Sequence, residues 1–272
     1  MSEPSQALIE RFQQAERLAT KPPAHQWVAK QAYPVAKPFL PIEAQQEIER
    51  YLDNVVAGVK HEDEEALKGD FILPFYGPMP FLSHYWDPNR PKHGFLGWSE
   101  VCIDRANRRW KMATMAYAAG KITEAYDQLG HVMHLLTDMS TPAHVHWDLH
   151  PFYDTYELGY LIEFNHQVPN GYNYEQWTSA GLAMALGNTL EVLFESLARI
   201  AQQFDSNDAA GTLPLHSLGH SAIREHQPLS SKFLLSYDVS YADAKVHAET
   251  CMPAAMSYVS VLFKKFWEQK GK

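Results

Sequence analysis

"TEAYDQLGHVMHLLTDMSTPAHVHWDLHPFYD", Thr123–Asp154, carries two patterns at once. Ala125, Leu129, Val132 and Leu136 recur at three- and four-residue intervals, the period of one helix face. That stripe predicts a helix over 123–139. From His131 to Asp154, five residues are His and three are Asp. These need a separate explanation, because a buried His or Asp costs free energy unless it finds a partner. His134 and Asp138 are four apart and share a helix face. Pro142 is predicted to redirect the chain, and His144 follows two residues later. His150 and Asp154 are again four apart. Imidazole nitrogen and carboxylate oxygen are the donors that Zn²⁺ takes. One H-x-x-x-D pair says little, but five such donors within 21 positions point to a metal cluster.

Outward from this stretch, helical periodicity dominates. "IEAQQEIERYLDNVVAG" places Ile48, Leu52, Val55 and Val56 at helical spacing, with Gly58 read as a stop. "SEVCIDRANRRWKMATMAYAAGK" is predicted helical, capped by Ser99 and ended by Gly120. "GLAMALGNTLEVLFESLARIAQQF" is a further helix. "YADAKVHAETCMPAAMSYVSVLFKKFWEQ" closes the chain as one or two more, with Pro253 expected to kink or break it. The Pro-rich segment 68–97 reads as a long ordered loop of the kind that often carries function, and 204–232 as a second loop. No internal repeat and no shift in composition divides the chain, so the expectation is one all-α domain over residues 1–272.

The chain has 272 residues, 46% of them hydrophobic, with seven Trp, fourteen Tyr and thirteen Phe, enough for a packed core. Its net charge of −9 argues against duplex nucleic acid as a partner. Two cysteines, Cys102 and Cys251, are expected to be free core thiols. The amino-terminal stretch does not read as a signal peptide, and no segment approaches the ~18–20 apolar residues of a membrane span. As written, the sequence suggests a soluble, cytoplasmic protein.

"LGHVMHLLTDMSTPAH" resembles the signature of bacterial zinc-dependent phospholipase C, H-x-x-x-D-x-x-x-P-x-H, filled in register by His134, Asp138, Pro142 and His144. "FLSHYWDPNRP" presents His84 where the family has a ligand His before an aromatic residue and Asp-Pro. "VVAGVKHED" supplies Gly58 and Asp63, "PPAHQWVAKQAY" supplies His25, and "HPFYD" supplies His150 with Asp154 in place of the family's Glu. Asp70, fourteen residues before His84, is a rival to Asp63, and His146 is a rival to His150. The family's mature chain begins with a Trp that helps hold one zinc; here Met1 comes first and His25 lies 24 residues in.

The resemblance implies an all-α fold binding two or three Zn²⁺, usually in a secreted enzyme. Its ligand set would be His25, Asp63, His84, His134, Asp138, His144, His150 and Asp154. Asp138 would bridge two metals. His84, His134 and Asp63 would complete one, and His25 would serve the other. His144, His150 and Asp154 would hold a third. Asp63 would also act catalytically by orienting or deprotonating the attacking water, with Asp148 or Glu157 supporting ligand histidines. The implied reaction is phosphodiester hydrolysis by metal-activated water, on a phospholipid and with transient membrane-surface contact. The alternatives are a zinc-dependent nuclease or nucleotidase, which shares the fold, and a catalytically silent zinc-binding relative. His131 and His146 are expected as supporting or surface residues. His61 and its acidic run "HEDEE" are expected to form a solvated face.

Overall fold

The computed structural model describes residues 24–66, 72–73, 77–78, 83–92, 100–146, 189–204 and 241–270. Within the helices, the side chains of 63–66, 241–246 and 248 lie outside the description. The described elements are α1 (Ala24–Ala36), a 3-10 turn (Lys37–Phe39), α2 (Ile42–Ala66), α3 (Cys102–Ala118), α4 (Ile122–Asp138), α5 (Pro142–His146), α6 (Leu190–Ala201) and α7 (Tyr241–Gln269). An antiparallel ladder pairs β1 (Ile72–Leu73) with β2 (Gly77–Pro78), inside the segment expected to be a loop. The fold is all-α, as the periodicity predicts.

α4 is the central element. All its residues from Leu129 to Asp138 are buried, because α2, α3, α1 and α7 pack around it. Its apolar stripe of Ala125, Leu129, Val132 and Leu136 is fully buried. Burial of the Leu129, Val132 and Leu136 side chains contributes about 1.5–3 kcal/mol each, and this offsets the cost of placing histidines on the same helix.

The contact between α2 and α4 corrects one expectation. Gly58 does not stop α2, which runs on to Ala66. A mid-helix glycine costs about 1 kcal/mol relative to alanine. Here its missing Cβ lets α4 come close: a Cβ at Gly58 would overlap the Asp127 carbonyl oxygen and lie 2.7 Å from the carbonyl carbon. Gly130 faces it, and a Cβ there would overlap the Val55 carbonyl oxygen. The two glycines form a close crossing of backbones.

Pro253 likewise does not break α7. An interior proline costs ~3 kcal/mol. The residues around it, among them Met252, Ala254, Ala255, Val259, Leu262 and Phe263, are buried, so packing holds the helix continuous. Gly120 does end α3, with φ +75°, and its N–H returns to the Tyr117 carbonyl. Ser99 lies outside the described residues; Val101 occupies the N-cap position of α3 without a side-chain cap. Residues 181–188 of the next expected helix and the expected loop from 205 to 232 are also outside the description. Cys102 and Cys251 are buried free thiols.

Candidate metal centre

The site is assembled around the last turn of α4. Asp138 ends that helix, and a tight turn follows in which the Thr141 N–H bonds the Asp138 carbonyl at 2.9 Å. Pro142 then opens α5, where its fixed φ suits the first turn and its missing N–H costs nothing. Two residues on, His144 is carried back toward the carboxylate.

Four imidazoles reach Asp138. His25, from the start of α1, places Nε2 2.8 Å from Oδ1. His84 places Nδ1 3.1 Å from Oδ2. His134, one turn earlier on α4, places Nε2 3.5 Å from Oδ2. His144 places Nδ1 3.9 Å from Oδ1. The His25 and His134 rings stack with centroids 4.3 Å apart. Asp138 and all four histidines are buried.

Backbone acceptors orient two of the rings. His134 Nδ1–H donates to the Val59 carbonyl at 2.9 Å across the glycine crossing, so Nε2 is the nitrogen that faces Asp138. His144 Nδ1–H donates to the His84 carbonyl at 3.1 Å, and the Trp86 N–H returns to the His144 carbonyl at 3.2 Å. These two bonds lock the "SHYWDP" loop against α5. Tyr85 stacks on His144 at 4.7 Å. Asp87 Oδ1 accepts from the Asn89 N–H at 2.8 Å and from Gln202 Nε2 at 2.9 Å, tying the loop to the end of α6. The motif thus gives one ligand candidate, His84, and a scaffold that holds it.

The donor set fits a divalent metal. Asp138 Oδ2 and His84 Nε2 are fully buried and have no hydrogen-bond partner among the described residues, a costly state for polar atoms unless a cation satisfies them. His25, His134 and Asp138 offer ligand atoms within 4.8 Å of one another. In a tetrahedral site with ligand bonds of about 2.1 Å, neighbouring donors stand about 3.4 Å apart; His134 Nε2 and Asp138 Oδ2 are at 3.5 Å. Burial alone would raise the Asp138 carboxyl, but the positive potential of His134, His144 and His84 and the hydrogen bond from His25 hold it well below the usual range.

Of the eight residues expected as ligands, the structure therefore gathers five: His25, His84, His134, Asp138 and His144. His150, Asp154 and the side chain of Asp63 lie outside the described residues, as do Asp70, Asp148 and Glu157. His146 turns its Nε2–H to the Phe204 carbonyl at 2.8 Å.

One residue beside this centre escaped the sequence reading. Glu62, in the run expected to be a solvated face, is fully buried. Arg105 Nε and His131 Nδ1 both donate to its carboxylate at short range, and Arg109 Nη2 lies 3.0 Å from it. Its Oε1 is 3.8 Å from His84 Nε2. Burial opposes ionisation of Glu62, yet the bond from His131 and the charges of His84, Arg105 and Arg109 outweigh it and push the carboxyl far down. A cue was present: Arg105 and Arg109 are four apart, on the side of α3 that also carries buried Ala106 and Ala113. Two cations on a buried face require a buried anion. His131, expected as a supporting or surface residue, is a fully buried support.

Among the described residues, four buried histidines that converge on one carboxylate define a candidate metal centre in a mainly helical fold. The chain is similar in sequence to bacterial phospholipases C. It is 27% identical over 124 residues to phospholipase C of Listeria monocytogenes, covering 44% of this chain and 40% of that one. It is 25% identical over 120 residues to phospholipase C of Bacillus cereus, covering 40% of each. In fold it resembles alpha-toxin from Clostridium absonum, with a TM-score of 0.60 at 16% identity over 90% of this chain and 63% of the toxin. Clostridium perfringens alpha-toxin matches with a TM-score of 0.60 at 13% identity, over 92% and 65%. The chain thus spans under two thirds of each toxin, and the sequence match spans two fifths of each phospholipase. No protein-family model matches.

Proposed function

We propose that this chain is a zinc-dependent phosphodiester hydrolase acting on phospholipid. The observation that carries this reading is the buried Asp138 carboxylate, ringed by four histidines and left with an orphaned oxygen. The sequence similarity to phospholipases C supports the substrate class.

His25, His84, His134, Asp138 and His144 would hold the metal, with Asp63, His150 and Asp154 completing a two- or three-zinc set. When bound, zinc supplies Lewis acidity toward a phosphoryl oxygen and acidifies coordinated water. The protein's own contribution is orientation. The Val59 and His84 carbonyls fix the His134 and His144 rings in one tautomer each, and such partners normally tune ligand basicity and affinity. Glu62 faces His84 from the side away from Asp138 and is neutralised by Arg105 and Arg109. Asp63 is assigned the proton-accepting role toward the attacking water. A single domain spanning 1–272 is part of this reading, as is transient adsorption to a lipid surface; no described helix is long and apolar enough to cross a membrane.

The test pairs metal analysis with turnover. Wild type should retain at least two zinc per chain after dialysis and hydrolyse phosphatidylcholine vesicles in preference to single-stranded DNA. Asp138→Asn should lose metal and activity while remaining helical. Full metal content and full turnover in Asp138→Asn would refute the assignment, and preferential cleavage of DNA would replace the substrate.

A further inference from the structure

A second constellation of metal donors lies one face away, outside the ligand set above. His61 from α2 and Asp127 and His131 from α4 offer atoms all within 4.8 Å of one another. His61 Nδ1 is 2.7 Å from Asp127 Oδ1. His131 Nε2 is 3.4 Å from Asp127 Oδ2, with the two residues one turn apart on α4. The His61 and His131 ring centroids are 6.3 Å apart. His131 is fully buried, Asp127 is largely buried, and the half-exposed His61 gives access from solvent.

The ring of His131 decides the chemistry. Its Nδ1 bonds the Glu62 carboxylate, which Arg105 and Arg109 hold ionised. Glu62 can only accept, so the Nδ1 proton is committed to it. Against the pull of burial, bonds to both Asp127 and Glu62 hold His131 above the ordinary imidazole range, so a metal at Nε2 would displace the proton that faces Asp127 and leave Nε2 and Oδ2 as two facing lone pairs. A divalent cation can take that proton's place between them. A neutral histidine whose other N–H is held by a carboxylate is the recurrent arrangement at protein metal sites. The 3.4 Å separation of Nε2 and Oδ2 also equals the donor spacing of about 3.4 Å expected across a tetrahedral zinc. His61 stands at hydrogen-bond distance from Asp127 and, being half exposed, has room to rotate into coordination.

We propose that His61, Asp127 and His131 form a second, peripheral site for a divalent transition cation of the zinc type. Two imidazoles and one carboxylate match the ligand set of zinc sites that leave one position open to water. The site joins α2 to α4 directly beside the Gly58–Gly130 crossing, so occupancy clips together the two helices that carry the central cluster. The competing occupant is a proton on His131 Nε2, facing Asp127 Oδ2.

The experiment is equilibrium dialysis of the full chain against buffered Zn²⁺, with zinc per chain measured by elemental analysis and folding checked by circular dichroism. His61→Ala removes a half-exposed side chain and should leave the fold intact; it should bind one zinc fewer than wild type. Asp127→Asn should show the same deficit, and His61→Cys, which restores a zinc ligand, should recover the wild-type count. Zinc should also raise the melting temperature of wild type more than that of His61→Ala. Equal zinc content in wild type and His61→Ala would overturn the proposal and leave the proton as the cation. His134→Ala probes the central cluster separately. If it retains all its zinc while His61→Ala loses one, the central assignment fails and the peripheral site stands.

Discussion

Gly130→Ala sets two effects of opposite sign against each other. In an isolated helix, alanine is better than glycine by about 1 kcal/mol, so helix propensity predicts stabilisation. In the structure, the new Cβ would overlap the Val55 carbonyl oxygen and lie 2.8 Å from Val59 N and 2.9 Å from Gly58 Cα. Each obstacle is backbone in a packed helix, and none can swing aside. Restoring ordinary contacts of about 3.5 Å to Val59 N alone requires ~0.7 Å of helix separation, and the carbonyl demands more. Overpacking typically costs 1–3 kcal/mol, and a rigid obstacle places this case near ~3. Subtracting the propensity gain leaves a net loss of about 2 kcal/mol. On the scale of large globular chains that is a melting-temperature drop of about 4–8 °C.

The substitution should also reach the metal. His134 is one turn beyond Gly130, and its Nδ1–H bond to Val59 crosses the same gap at 2.9 Å. Parting the helices stretches that bond and loosens the ring that faces Asp138. The assay is urea unfolding of metal-free protein, followed by zinc titration. Gly120→Ala serves as the control: its φ of +75° makes a side chain costly, but no atom lies within 4 Å of the new Cβ. A left-handed non-glycine residue costs ~1–2 kcal/mol, so the control should lose stability and keep its zinc affinity. If Gly130→Ala is as stable as wild type, or gains ~1 kcal/mol, the close crossing is wrong.

Glu62→Gln should destabilise the chain by about 3–5 kcal/mol, because it leaves Arg105 and Arg109 buried beside a neutral amide; denaturant unfolding reads this directly. Its pH dependence has a definite sign. Glu62 titrates lower in the folded state than in the unfolded one, so its contribution is complete above the unfolded value of about 4.3 and is lost as pH falls below it. The stability gap between wild type and Glu62→Gln should therefore narrow on acidification from pH ~5, and a gap independent of pH would refute the network. Burial raises the pKa of both Cys102 and Cys251 thiols, so native protein should resist a thiol reagent that titrates two groups after unfolding; rapid native reaction would show that the core is open at either site. His146→Ala should cost stability through its lost bond to Phe204 while leaving zinc content unchanged, and a loss of zinc would return His146 to the ligand set.

What the sequence disclosed and what it hid divide along one physical line. His134, Asp138 and His144 were legible because one helix turn and one helix-starting proline fix their relation locally. His25 and His84 were reached through motif resemblance, since their approach to Asp138 depends on contacts between distant segments. Gly58 was misread because a local rule, glycine as a stop, competes with a tertiary one, glycine as a close crossing, and only Gly130 on another helix decides between them. Glu62 was hidden for the same reason. Among "HEDEE" it is one acid of several, and its burial follows from Arg105, Arg109 and His131, which lie 43 to 69 residues away. The usable signal sat on the partners. Arginines placed on the apolar side of α3 state a demand for a buried anion, and a surplus of acids at the end of α2, one turn past the glycine crossing, is where it is met. The same accounting of buried charge, applied to His131 between Glu62 and Asp127, is what calls for a cation at the periphery of this protein.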